Sequence, residues 1–84
     1  MKQYLVLAMR RPEFDPAVVE PHLAYIAGLR ARGQLECSGG FSDKSGGAYI
    51  LLADNLAEAQ AITAQDPVLT SGSSDITVYE WNAH

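Results

Sequence analysis

The chain has 84 residues, enough for one hydrophobic core, since domains centre on roughly 100 to 150 residues. Ten Asp and Glu against six Lys and Arg give a formal charge of −4, and the basic residues are scattered, which argues against nucleic acid and anionic membranes as partners. A single cysteine, Cys37, excludes an internal disulfide, and the longest apolar run falls far short of the roughly 20 residues that span a bilayer, so a cytoplasmic protein is expected.

Residues 2 to 9 are rich in strand formers, and Arg10-Arg11-Pro12 closes the run with charge and a proline that cannot continue a ladder. Asp15 before Pro16 has the form of a cap and a first helical position. Val18, His22, Ile26 and Leu29 then recur at helical spacing, and Gly33 stops the helix, which is predicted over 15 to 32. Residues 35 to 41 alternate weakly, 42 to 47 are turn chemistry, and 48 to 53 form another strong strand, so the two strands make a hairpin. Asn55 with Glu58 three positions on is a capping-box pattern, and a short helix over 56 to 65 ends at Asp66-Pro67. After a Gly/Ser-rich turn at 70 to 74, residues 75 to 81 alternate as a last strand.

The order βαββαβ predicts an α+β, ferredoxin-like split βαβ fold: a four-stranded antiparallel sheet with the first and third strands central and two helices on one face. Those central strands are apolar on both sides, whereas two helices cover only one. The uncovered face would exceed what monomers usually expose, and a domain this small buries only about 60% of its unfolded surface. A homodimer packed sheet to sheet is the simplest cover.

Two residues carry candidate chemistry. His22 lies mid-helix on the apolar face, where an imidazole is either a satisfied core group or a proton carrier near neutral pH. Asp66 stands where the second helix ends, facing the negative pole of the macrodipole, and is either a turn residue or a functional carboxylate. With both helices on one sheet face, Asp66 can reach His22, hold its tautomer and stabilise its imidazolium. Ser38-Gly39-Gly40 leaves main-chain amides bare and either lines a cleft or marks a bend. Ser71, Ser73 and Ser74 have the pattern of solvated turn residues. Cys37, in phase with Leu35, is expected to be buried and inert. Tyr25, Tyr49, Tyr79 and Trp81 are expected in the core and interface. His22, Cys37, Asp66 and His84 have no metal-ligand spacing and no glycine motif fits a nucleotide, so no metal and no cofactor are expected.

Taken together, Pro21-His22-Leu23-Ala24-Tyr25, Gly33-Gln34-Leu35, Ser38-Gly39-Gly40, Gly46-Gly47, Ala57-Glu58-Ala59, Asp66-Pro67, Gly72 and Val78-Tyr79-Glu80-Trp81 resemble the YciI-like (YCII-related domain) proteins over nearly the whole chain. The resemblance implies a dimeric ferredoxin-like α/β-barrel with a His and an Asp at a cleft, here His22 and Asp66, in a family that includes a dehydrochlorinase of a chlorinated aromatic. Two positions depart from it: Glu20 stands where an Arg is frequent, and Ser38-Gly39-Gly40 where Ala-Gly-Pro is frequent. The expected function is a cofactor-free enzyme working by elimination or isomerisation on a small organic substrate, with His22 and Asp66 catalytic and Ser38 and Gly39 at the substrate. The alternative is a ligand-binding or assembly module on the same barrel, and a cofactor-independent monooxygenase is a third reading.

Overall fold

Alternation along the first strand sets the core. In the computed structural model, which describes residues 1–84, β1 runs over Lys2–Arg10 and buries Tyr4, Val6 and Ala8 on one side. The strands β2 (Leu35–Gly40), β3 (Gly46–Ala53) and β4 (Ser74–Glu80) join it in one antiparallel sheet of order β2-β3-β1-β4, with β1 and β3 central as the pattern predicts. Tyr4 pairs with Leu51 and Val6 with Tyr49, so the buried residues of the two central strands share a face. On that face lie α1 (Val19–Ala31) and α2 (Leu56–Thr63), whose Ile26, Leu29 and Ala59 complete a core with Tyr4, Val6, Tyr49, Leu51 and Ala53.

Asp15 caps as expected, its carboxylate accepting from the Ala17 amide at 3.0 Å, but the helix opens with a 3₁₀ turn over Pro16–Val18 before the α-helix begins. Pro21 explains the break: it has no N–H to donate to Ala17 four residues back, and its ring crowds that carbonyl. The Asn55 side chain accepts from the Glu58 amide at 2.8 Å, the cap that the sequence pattern predicts.

The helix before Asp66-Pro67 does end there, α2 closing at Thr63 and Asp66 taking the extended backbone that a following proline imposes. Here the structure corrects the expected turn, because a further short helix, α3 (Pro67–Thr70), follows at once with Pro67 at its start. β2 and β3 also begin and end differently from the expectation: Gly46 and Gly47 belong to β3. A Cβ on Gly47 would sit 2.6 Å from the Gly39 carbonyl oxygen, so the two strands approach this closely only because the residue has no side chain.

A register shift between Leu35 and Cys37 overturns the expected burial of the cysteine. Leu35 pairs with Leu51, whereas Cys37 pairs with Ile50, so the extra residue, Glu36, moves Cys37 to the opposite face, where it is exposed. That face is free of helices. It carries Leu5, Leu7 and Met9 of β1 and Ala48, Ile50 and Leu52 of β3, all at least partly exposed, with Tyr79 and Trp81 more than two-fifths exposed beside them. No helix is long and apolar enough to cross a membrane.

Candidate active site

His22 follows Val18 by one turn and precedes Ile26 by another, which turns its ring toward the sheet. Its Nδ1 lies 2.7 Å from Asp66 Oδ1. Asp66 is fully buried, and the imidazole retains 23% exposure. The two groups foreseen as partners are therefore in contact, one sealed and one reaching solvent.

The position of Asp66 differs from the one expected. Instead of facing the negative end of a helix, it caps the start of α3, where its Oδ1 accepts from the Val68 amide at 3.1 Å. Its other oxygen, Oδ2, accepts from the Tyr49 hydroxyl at 2.9 Å. Amide, phenol and imidazole all face a carboxylate, which only accepts, so the proton of a neutral His22 sits on Nδ1 and the lone pair on Nε2.

Tyr49 and Tyr25 extend the cluster. The Tyr25 hydroxyl donates to the Ile62 carbonyl oxygen at 3.2 Å and lies 3.2 Å from the Tyr49 hydroxyl. Both rings flank His22, with centroids 6.2 Å and 6.3 Å away. Sequence reading placed these tyrosines in the core without a role at the site. The signal was present: Tyr25 falls three residues after His22 on the same helix face, Tyr49 is in phase with Leu51, and a buried phenol needs a partner.

Burial pushes the Tyr25 hydroxyl up to about 12, against a bond with Tyr49 that acts the other way, and the charge of Asp66 adds to the rise. Burial also raises Tyr49, reinforced by Tyr25 and Asp66. A raised folded value means that the native state holds these protons more tightly, so the contribution is complete below the ordinary 10.0 and is lost as the pH climbs toward 12. Thermal unfolding across that window will show the melting temperature falling above about pH 10, and Tyr25→Phe will flatten the fall. A parallel fall in both proteins would place the alkaline sensitivity elsewhere.

His22 forms part of the wall of an open cavity of about 210 Å³. Ser38 and Gly39 line it from β2, Tyr49 from β3, and Ile26 and Leu23 from α1. Ser38 pairs with Tyr49 across the sheet and so faces the helices, while Gly39 leaves its main chain uncovered at the rim. Arg10, Phe14 and Ser74 also line the cavity, three residues that sequence reading did not connect with it. Ser73 and Ser74, expected to be solvated, are buried at 2% and 3% exposure, and the Ser73 hydroxyl accepts from Ser71 at 2.9 Å. Glu20 is exposed and takes no part in the lining. No three His, Cys, Asp or Glu side chains converge as metal ligands do.

The fold is similar to that of a solved structure, 5-chloro-2-hydroxyhydroquinone dehydrochlorinase from Burkholderia phenoliruptrix AC1100 in complex with 2,5-dihydroxybenzoquinone. The TM-score is 0.75 at 21% identity, covering 98% of this chain and 95% of that one. In sequence the chain is 43% identical over 81 residues to the uncharacterized protein YjpA of Bacillus subtilis (strain 168), covering 96% of this chain and 95% of that protein. The model of the YCII-related domain matches residues 2–82, and the chain belongs to that family.

Proposed function

We propose that this protein is a cofactor-free acid–base enzyme that carries out an elimination or isomerisation on a small organic substrate. The supporting observation is the contact between His22 and a fully buried Asp66 on the wall of an open cavity. In an elimination, His22 Nε2 takes a proton from the substrate, the released electron pair forms the new π bond, and the leaving group departs with its own pair. The imidazolium is stabilised by Asp66 and returns the proton to water, so no oxidant or reductant is consumed. Ser38 and Gly39 border the substrate. A dehydrochlorinase with a similar fold lends this class of reaction support.

Screening halogenated phenols, muconolactones and small keto acids, with chloride release and proton exchange as readouts, tests the proposal. Turnover by the wild type that is lost with His22→Asn supports it. Compounds that bind but are unchanged would make the protein a ligand-binding module instead.

The same reading includes a cytoplasmic homodimer formed through the open sheet face. Two helices leave Leu5, Leu7, Ile50 and Leu52 uncovered, and burying such side chains stabilises by about 25 cal/mol per Å². Sedimentation at micromolar concentration is expected to give twice the chain mass of 9.1 kDa, and Leu7→Lys to give the monomer. A stable wild-type monomer would contradict this assembly.

A further inference from the structure

Around the cavity one side chain carries a permanent charge, Arg10, and no Asp or Glu lines it. Arg10 is the last residue of β1, opposite Ser74 of β4 and in phase with Ala8, so its side chain leaves the sheet on the helix side. The guanidinium lies over the Phe14 ring, 4.1 Å from its centre. Ten acidic side chains are available in the chain, yet the ion pairs formed are Lys2 with Glu80, Arg11 with Glu13 and His22 with Asp66. None involves Arg10, whose donors are left without a carboxylate.

We infer that Arg10 is the anion-recognition residue of this cavity, gripping a charged oxygen of a small planar organic anion while the proton to be moved faces His22. Building on the acid–base reading above, this names the substrate class. Phe14 holds the guanidinium plane, and a planar fork matches a carboxylate or an enolate-type oxygen pair through parallel hydrogen bonds. Size sets the rest. A cavity of about 150 Å³ holds benzene, so about 210 Å³ has room for one ring with its substituents. The remaining wall, Ile26, Leu23 and Val68 among others, is apolar and suits a ring face.

Benzoate and its neutral counterpart benzamide are suitable probes, titrated by NMR into the full chain and its Arg10→Gln, Arg11→Gln and His22→Asn variants. The wild type is expected to prefer benzoate by about tenfold, the effect of one charge-assisted bond, and added salt to erode that preference. Arg10→Gln abolishes the preference without weakening benzamide, while Arg11→Gln, whose partner is Glu13, leaves it intact. His22→Asn keeps the preference while turnover is lost, which separates the two proposals: a preference dependent on Arg10 with turnover surviving in His22→Asn would sink the acid–base reading alone. Equal affinity of the wild type for both probes, absence of benzoate binding, or a preference retained by Arg10→Gln would overturn the inference.

Discussion

His22→Asn is expected to lower turnover of whichever screened compound reacts by about 10²- to 10⁴-fold, the range that one positioned acid–base group contributes. Asparagine is the informative replacement because its side-chain amide can still donate toward Asp66, so the buried carboxylate keeps a donor and the fold is retained. What disappears is the lone pair that Nε2 offers to the cavity, since a carboxamide is not a base near neutral pH. Stability by thermal unfolding should stay near that of the wild type, in keeping with an imidazole that is 23% exposed. The effect should fall on kcat with little change in KM, because the interaction lost belongs to the transition state. Unchanged turnover in a folded His22→Asn protein would remove proton transfer by this residue from the account.

Asp66→Ala is expected to produce the largest loss of stability of any change at the site. Three donors converge on this carboxylate: the Val68 amide at 3.1 Å, the Tyr49 hydroxyl at 2.9 Å and the His22 ring at 2.7 Å. Alanine leaves the Val68 amide buried without an acceptor, at about 1 to 3 kcal/mol, and costs the Tyr49 hydroxyl a bond to a charged group, about 1.5 to 3 kcal/mol less whatever Tyr49 regains by donating to the Tyr25 oxygen 3.2 Å away, whereas His22 can turn to water. A total near 3 kcal/mol corresponds to a fall of roughly 12 to 24 °C in Tm for a domain of this size. Asp66→Asn separates structure from chemistry. Asparagine caps a helix as well as aspartate does, so most of the stability should remain, but a neutral amide cannot stabilise the imidazolium and turnover should still drop. If Asp66→Ala unfolds within about 1 kcal/mol of the wild type, the carboxylate is not the hub that its three contacts describe.

The sheet order was readable because the element order βαββαβ belongs to the split βαβ arrangement, and the two strands it makes central, β1 and β3, are the most apolar. His22 was readable because helical spacing fixed which way its ring points. Asp66 was found for the wrong local reason. Its proline looked like a helix stop, and nothing in a Pro-Val-Leu-Thr run distinguishes a stop from a new start until α3 is seen to carry Val68 into a second cluster with Ala8 and Val18. Cys37 was placed on the wrong face because a one-residue bulge inverts every side chain beyond it, and a bulge at Glu36 has no composition of its own. The tyrosine cluster and Arg10 were hidden by distance along the chain. Tyr49 meets Asp66 across 17 positions, and Arg10 joins His22 at one cavity only once β1 and α1 are folded together.

A long-range ¹H–¹⁵N correlation spectrum of His22 in its neutral form, with His84→Gln to remove the other ring, tests the pairing with no need of a substrate. A proton on Nδ1 and a bare Nε2 is the predicted result, the tautomer that a buried carboxylate at 2.7 Å imposes. A proton on Nε2 would leave no base facing the cavity and would contradict the assignment.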